Sequence, residues 1–217
     1  MLKLVAFDMD GTLVDVSSSW GAVHQHFGLS NAQALEQFLH DEIDDEEFIR
    51  ADVRLWKTRR PEITIEEVEQ ILDRVPLMPG ATELVRGLRS RGLHTAIVSG
   101  GIDLLAHRIG RELGMDYVLA NGLRTTADGR VQDEGIVRVP IKRKGEALRS
   151  VQRQLGVSVH ETAAVGNSDI DIAMFRESRL GIAFRPEDEA TRRAATAVVE
   201  GHSLAPALAI LLDAMNA

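Results

Sequence analysis

From Pro79-Gly80 onward the sequence alternates short apolar runs with stretches of helical period, and few architectures accept that alternation. Leu84, Val85 and Leu88 mark a helix over 81–91, and a strand-like run follows at 95–98. A helix over 102–113 stops at Gly114, 117–119 reads as a strand, and Asp128-Gly129 marks a hairpin turn. Helix 142–155, strand 163–165, helix 170–177, strand 181–184, a helix after Pro186, strand 197–199 and a last helix from Leu204 complete the series. Repeated strand–helix units imply right-handed crossovers, hence an α/β, Rossmann-like parallel sheet with helices on both faces. In such sheets ligands bind beyond the carboxyl ends of the strands.

The N-terminal part supplies a first strand and then changes character. Residues 2–7 are apolar except for Lys3, the pattern of a parallel strand buried on both faces. Residues 15–78 read entirely as helix. Ser17–Ser19 can cap a segment carrying Trp20, Val23 and Phe27, which Gly28 stops. Leu35, Phe38 and Leu39 follow, then Phe48, Ile49, Val53 and Trp56. Thr64-Ile65-Glu66-Glu67 is a capping-box pattern ahead of Val68, Ile71, Leu72 and Val75. The run Asp41 to Glu47 holds six acids in seven residues and reads as a solvated turn and helix start.

Composition narrows the class of partner. The formal net charge of −8 and the lack of a basic stripe argue against nucleic-acid binding. There is no cysteine, which removes disulfides and thiolate metal sites and suits a cytoplasmic setting. No apolar run approaches a membrane span, and none of the seven histidines has metal-ligand spacing. Trp20 and Trp56 read as core.

Polar residues collect at three strand ends. The first strand delivers Asp8-Met9-Asp10-Gly11-Thr12-Leu13, and side chains two apart on an extended segment point the same way. Adjacent carboxylates repel unless a proton or cation lies between them. An acidic cap and turn would account for one Asp, not for both with Gly-Thr behind them. The strand at 95–98 delivers Ser99-Gly100-Gly101, a hydroxyl with two residues whose backbone can approach an anion. The strand at 163–165 delivers Gly166-Asn167-Ser168-Asp169-Ile170-Asp171, and Lys144 opens a helix as a candidate cation.

Together these segments resemble the four motifs of the haloacid dehalogenase-like superfamily, and more narrowly its phosphoserine phosphatase-like branch. The resemblance spans nearly the whole chain and implies a core of 1–14 and 79–217 with a helical cap at 15–78. It implies a phosphomonoester hydrolase acting on a small phosphorylated metabolite. Asp8 would be the nucleophile that forms an aspartyl-phosphate, and Asp10 the acid for the leaving alkoxide and then the base for water. Ser99 and the Gly100 N–H would hold the phosphoryl oxygens, with Thr12 and Gly101 completing the substrate-binding set. Lys144 would balance the charge. Mg²⁺ would sit among Asp8, the Asp10 carbonyl, Asn167 and Asp171.

Departures from the family pattern concern the metal and the substrate clamp. Asn167 stands where an aspartate ligand is usual, and Asp171 is the acid that would compensate. Asp15-Val16-Ser17-Ser18 stands where a glutamate meets the substrate amine. Asp52 stands where an arginine meets the substrate carboxylate, with Arg50 and Arg54 near enough in sequence to stand in. Ile170 replaces an asparagine, and Gly11 a frequent serine. A phosphotransferase, a receiver-like phosphate switch and a catalytically weak phosphate-binding protein are the competing readings, and a homodimer stays open.

Overall fold

The computed structural model describes residues 1–216 and builds one seven-stranded sheet in the order β4-β3-β2-β1-β5-β6-β7. Strand β1 (Leu4–Phe7) lies at its centre, every residue buried, as its unbroken apolar run requires. It pairs in parallel with β2 (His94–Ile102) on one side and β5 (Thr162–Gly166) on the other. Beyond β2 lie β3 (Tyr117–Thr125) and the antiparallel β4 (Val131–Ile136), joined through Asp128-Gly129. Beyond β5 come β6 (Leu180–Phe184) and β7 (Ala197–Val199), both parallel. The chain first extends the sheet away from β1 on the β2 side, then on the β5 side. The switch point, where a crevice opens, therefore falls at the carboxyl end of β1.

Four helices occupy the stretch between β1 and the rest of the core: α1 (Ser19–His26), α2 (Ala32–Leu39), α3 (Asp45–Lys57) and α4 (Ile65–Leu72). Ser18 caps α1 through the Gly21 N–H, and Thr64 and Glu67 cap α4 reciprocally. The acidic run begins α3: Asp44 accepts from the Glu47 N–H, and Asp45, Glu46 and Glu47 fill the first turn, where the helix dipole favours negative charge. The remaining helices are α5 (Ala81–Arg89), α6 (Asp103–Leu113), α7 (Lys144–Leu155), α8 (Ile172–Arg176), α9 (Glu189–Ala194) and α10 (Ala207–Asn216). Gly114, at φ +69°, ends α6 in the left-handed conformation that glycine adopts without strain.

One apolar cluster runs from the sheet into the inserted helices. Phe7, Met9 and Leu13 share it with Trp20, Val23, Ile49, Val53, Trp56 and Val68. The β3–β4 hairpin extends this contact. Ile63 accepts from the Val131 N–H (2.9 Å), Ile65 donates to the Gly129 carbonyl (2.9 Å), and a Cβ at Gly135 would lie 2.6 Å from Ile49. No helix among the described residues is long and apolar enough to cross a membrane.

Candidate active site

Sheet register brings the polar segments together. Phe7 faces Ile97 of β2 and Val165 of β5, so Asp8, Ser99 and Asn167 each follow within two residues of one level of the sheet. Asp8 continues the ladder, its N–H donating to the Val165 carbonyl (2.9 Å). Its Oδ1 accepts from Lys144 Nζ at 2.6 Å. Lys144, the first residue of α7, also donates to Asp171 Oδ1 at 2.6 Å, and all three groups are buried. Burial pushes the Asp8 carboxyl up to about 7, against the pull of Lys144 and with help from Asp171 and Asp10. Burial also works against the Lys144 ammonium, but the two carboxylates outweigh it and hold its pKa above the ordinary value.

Asp171, expected among the metal ligands, has its carboxylate oxygens turned to protein donors in this structure. Besides Lys144, it accepts through Oδ2 from the N–H groups of Asn167 (2.9 Å) and Ser168 (3.1 Å) and from the Ser168 hydroxyl (3.3 Å). It is wholly buried and does not line the cavity above the site. Its oxygens fix the β5 loop and the lysine.

Asp10 has an asymmetric setting. A tight turn follows β1, with the N–H groups of Thr12, Leu13 and Val14 all directed at the Met9 carbonyl. Oδ2 accepts from the Ser19 N–H and the Ser19 hydroxyl, both at 2.8 Å. Oδ1 is buried without a partner, the kind of exception that marks a functional group. Burial raises the Asp10 pKa and the Ser19 bonds oppose it. With two donors on Oδ2, a retained proton belongs on Oδ1. Gly101 makes room for this pair, because a Cβ there would lie 2.6 Å from Ser19 Oγ and 2.7 Å from Asp10 Oδ2.

Ser99 Oγ accepts from the Gly101 N–H (3.1 Å), which leaves its own O–H to donate. The Ser99-Gly100-Gly101 stretch, expected beyond the end of its strand, belongs to β2, which runs on to Ile102 across a register shift. The Gly100 carbonyl receives Trp20 Nε1 (3.0 Å) and Asn121 Nδ2 (3.3 Å), bonds that stretch the segment out. Thr12, expected to touch substrate, does not reach the cavity. It is wholly buried and donates to Asn167 Oδ1 at 3.1 Å.

Glu187 is the residue that sequence reasoning missed. Asn167 donates through Nδ2 to Glu187 Oε1 (2.9 Å), and its carbonyl accepts the Glu187 N–H (2.8 Å). Arg185, at φ +45°, turns the chain sharply after β6 and directs Glu187 back over the end of β5. Partial burial, then Asp171, Asp188 and Asp169, raise its pKa. The signal was available: an acid shortly beyond the carboxyl end of the strand next to β5. No group of three His, Cys, Asp or Glu side chains poised for a metal occurs among the described residues. The oxygen donors on this wall include the carboxylates of Asp8 and Glu187 and the amide oxygen of Asn167, a hard set whose chemistry fits a magnesium ion that keeps several waters.

Above these groups lies a cavity of about 740 Å³, closed on its far side by α1, α2 and α3. Arg50 and Arg54 do not line it. Arg50 donates to the Asp133 carbonyl (3.1 Å) and pairs with Glu47, and Arg54 reaches Glu47 (3.3 Å), so both face the β4 hairpin. Asp52 does border the cavity, but Oδ1 holds His24 Nε2 (2.6 Å) and Asn31 Nδ2. Trp56 Nε1 in turn donates to His24 Nδ1 (3.0 Å) and its ring stacks on Trp20.

Comparison with known proteins agrees with this architecture. Residues 5–176 match the model of the haloacid dehalogenase-like hydrolase family. The phosphoserine phosphatase of Methanocaldococcus jannaschii is 33% identical over 186 residues, covering 84% of this chain and 85% of that protein. That of Polaromonas sp. is 32% identical over 208 residues, covering 92% and 86%. A solved structure described as a phospho-aspartyl intermediate analogue of phosphoserine phosphatase superposes with a TM-score of 0.82 at 29% identity, over 96% of this chain and 98% of that one. The chain belongs to the haloacid dehalogenase-like hydrolases, on their phosphoserine phosphatase-like branch.

Proposed function

We propose that the chain is a Mg²⁺-dependent phosphomonoester hydrolase that works through an aspartyl-phosphate on Asp8, with a substrate clamp unlike that of a phosphoserine phosphatase. The observation that carries this reading is the pair of buried carboxyls one residue apart: Asp8 held by Lys144, and Asp10 with Oδ1 free. Support for the intermediate comes from the similarity to the phospho-aspartyl analogue structure. Residues 15–78 act as a cap over a core of 1–14 and 79–217. The reading assigns a cytoplasmic enzyme with no nucleic-acid or membrane partner.

In this scheme Asp8 Oδ2, the oxygen not facing Lys144, attacks phosphorus while the bond to the leaving alkoxide breaks. The proton on Asp10 Oδ1 passes to that alkoxide. Asp10 then takes a proton from water, the resulting hydroxide attacks phosphorus, and the bond to Asp8 breaks to release phosphate. Ser99 donates its O–H to a phosphoryl oxygen, and Lys144 keeps its charge beside Asp8 throughout. Asp8, the Asp10 carbonyl, Asn167 and Glu187 would hold Mg²⁺, which when bound supplies positive charge for the phosphoryl oxygens. Thr12 and Asp171 position Asn167 and Lys144. Gly100 and Gly101 admit the phosphate without the side-chain bulk that would crowd Ile141, Ser19 and Asp10.

Leaving-group dependence tests the acid role. Asp10→Asn should lower kcat for an alkyl phosphate by about 100- to 10,000-fold, the usual worth of a positioned acid. The loss should be much smaller in the burst of 4-nitrophenol, whose anion leaves unprotonated. Equal losses for both would remove Asp10 from the proton transfer.

A further inference from the structure

We propose that this site selects monophosphates of largely apolar alcohols that carry no carboxylate, a claim that rests on the hydrolase reading above and specifies its substrate class. The apolar part of the wall facing the carboxylates is built from Trp20, Leu29, Leu35, Phe38, Leu39 and Phe48. Leu35 and Leu39 are 46% and 58% exposed, unusual for two leucines one turn apart beside a cavity that has room for a ligand. A bound apolar group would cover them.

Charge in the cavity leads to the same substrate class. Among the described residues that line it there is no arginine, and its one lysine, Lys144, is held between Asp8 and Asp171. His24 has both ring nitrogens engaged, by Asp52 and by Trp56. A substrate carboxylate entering this space would lose its water and meet no cation, which is costly. On the cap side the one carboxylate among the described lining residues is Asp52, whose Oδ1 already carries two donors, so the rest of that wall presents mainly apolar surface. An amino-acid phosphate would also leave most of the roughly 740 Å³ to water, whereas a medium-chain alkyl or an aryl group would fill it.

The test compares kcat/KM of the Mg²⁺-loaded enzyme for methyl, butyl and octyl phosphate and for O-phosphoserine. Each methylene that enters the apolar wall should raise kcat/KM by about fourfold, so butyl should exceed methyl by roughly sixtyfold. O-phosphoserine should fall below butyl phosphate. Leu39→Asp, a change at an exposed position that spares the core, should flatten the chain-length dependence. A preference for O-phosphoserine, or no gain with chain length while turnover proceeds, overturns the substrate class and leaves the hydrolase standing. No turnover of any ester, 4-nitrophenyl phosphate included, overturns the hydrolase reading and this inference with it.

Discussion

At the scale of single residues, the site depends on how each oxygen is occupied. Asp171 has donors on both oxygens, Asp10 on one, and Asp8 has one oxygen on Lys144. That distribution separates the roles of three buried acids more sharply than their positions in the motifs do. It also brings Glu187 against Asn167, beside the proposed metal site, where Asn167 contributes no charge. Glu187→Gln should therefore weaken Mg²⁺ by about tenfold or more, as losing a group next to a metal ligand typically does. Titration calorimetry on the folded variant, or Mn²⁺ line broadening in its place, reads this without reference to turnover. An unchanged affinity would exclude Glu187 from the cation's environment. The sequence shows Asp8, Asp10, Ser99, Asn167 and Lys144 because each follows a strand or opens a helix in a recognisable motif. The role of Thr12 as a clamp on Asn167, and of Asp171 as a clamp on Lys144, depends on side-chain partners up to 155 residues away, which no local pattern encodes.

Among the elements, α2 and the start of α3 are attached to the core by two neighbouring residues ahead of α7. Lys142 Nζ donates to the Phe38 carbonyl (2.6 Å) at the C-terminal end of α2, pairs with Asp41, and lies 4.8 Å from the Phe38 ring centre. Ile141 donates its N–H to Asp45 Oδ1 (2.7 Å). The acidic run at 41–47 thus does more than start a helix: two of its members connect the inserted helices to the far side of the cavity mouth. Nothing in the run itself identifies those partners, which lie about 100 residues downstream. A cation at a helix C-terminus is worth about 0.3–1 kcal/mol, so Lys142→Ala should speed amide exchange through residues 32–41 by about two- to fivefold. KM for an alkyl phosphate should rise more than kcat falls, because the wall carrying Leu35, Phe38 and Leu39 loosens. Unaltered exchange would show that Lys142 does not hold α2.

Across the whole molecule, the position of β1 at the centre of the sheet explains why one short motif governs the chemistry. Strand order places the switch point there, and register sets Ser99 and Asn167 beside Asp8. The alternation from residue 79 onward makes the parallel sheet legible, since strands buried on both faces are apolar and each helix between them has a clear period. Strand ends are less legible: β2 and β3 extend past their apolar runs because backbone pairing, Trp20 and Asn121 hold residues that have no β pattern of their own. The shared core of the sheet and the inserted helices is also hidden, because Trp20, Trp56 and Ile49 meet Phe7 and the hairpin only in three dimensions. The central claim is that phosphorus passes through Asp8. The most direct measurement quenches the Mg²⁺-loaded enzyme in mid-turnover with 4-nitrophenyl phosphate, reduces it with borohydride and sequences the product by mass spectrometry. The account predicts homoserine at position 8 in the wild-type protein, with no modification and no turnover in Asp8→Asn. Turnover that survives Asp8→Asn, or reduction at another carboxylate, would contradict it.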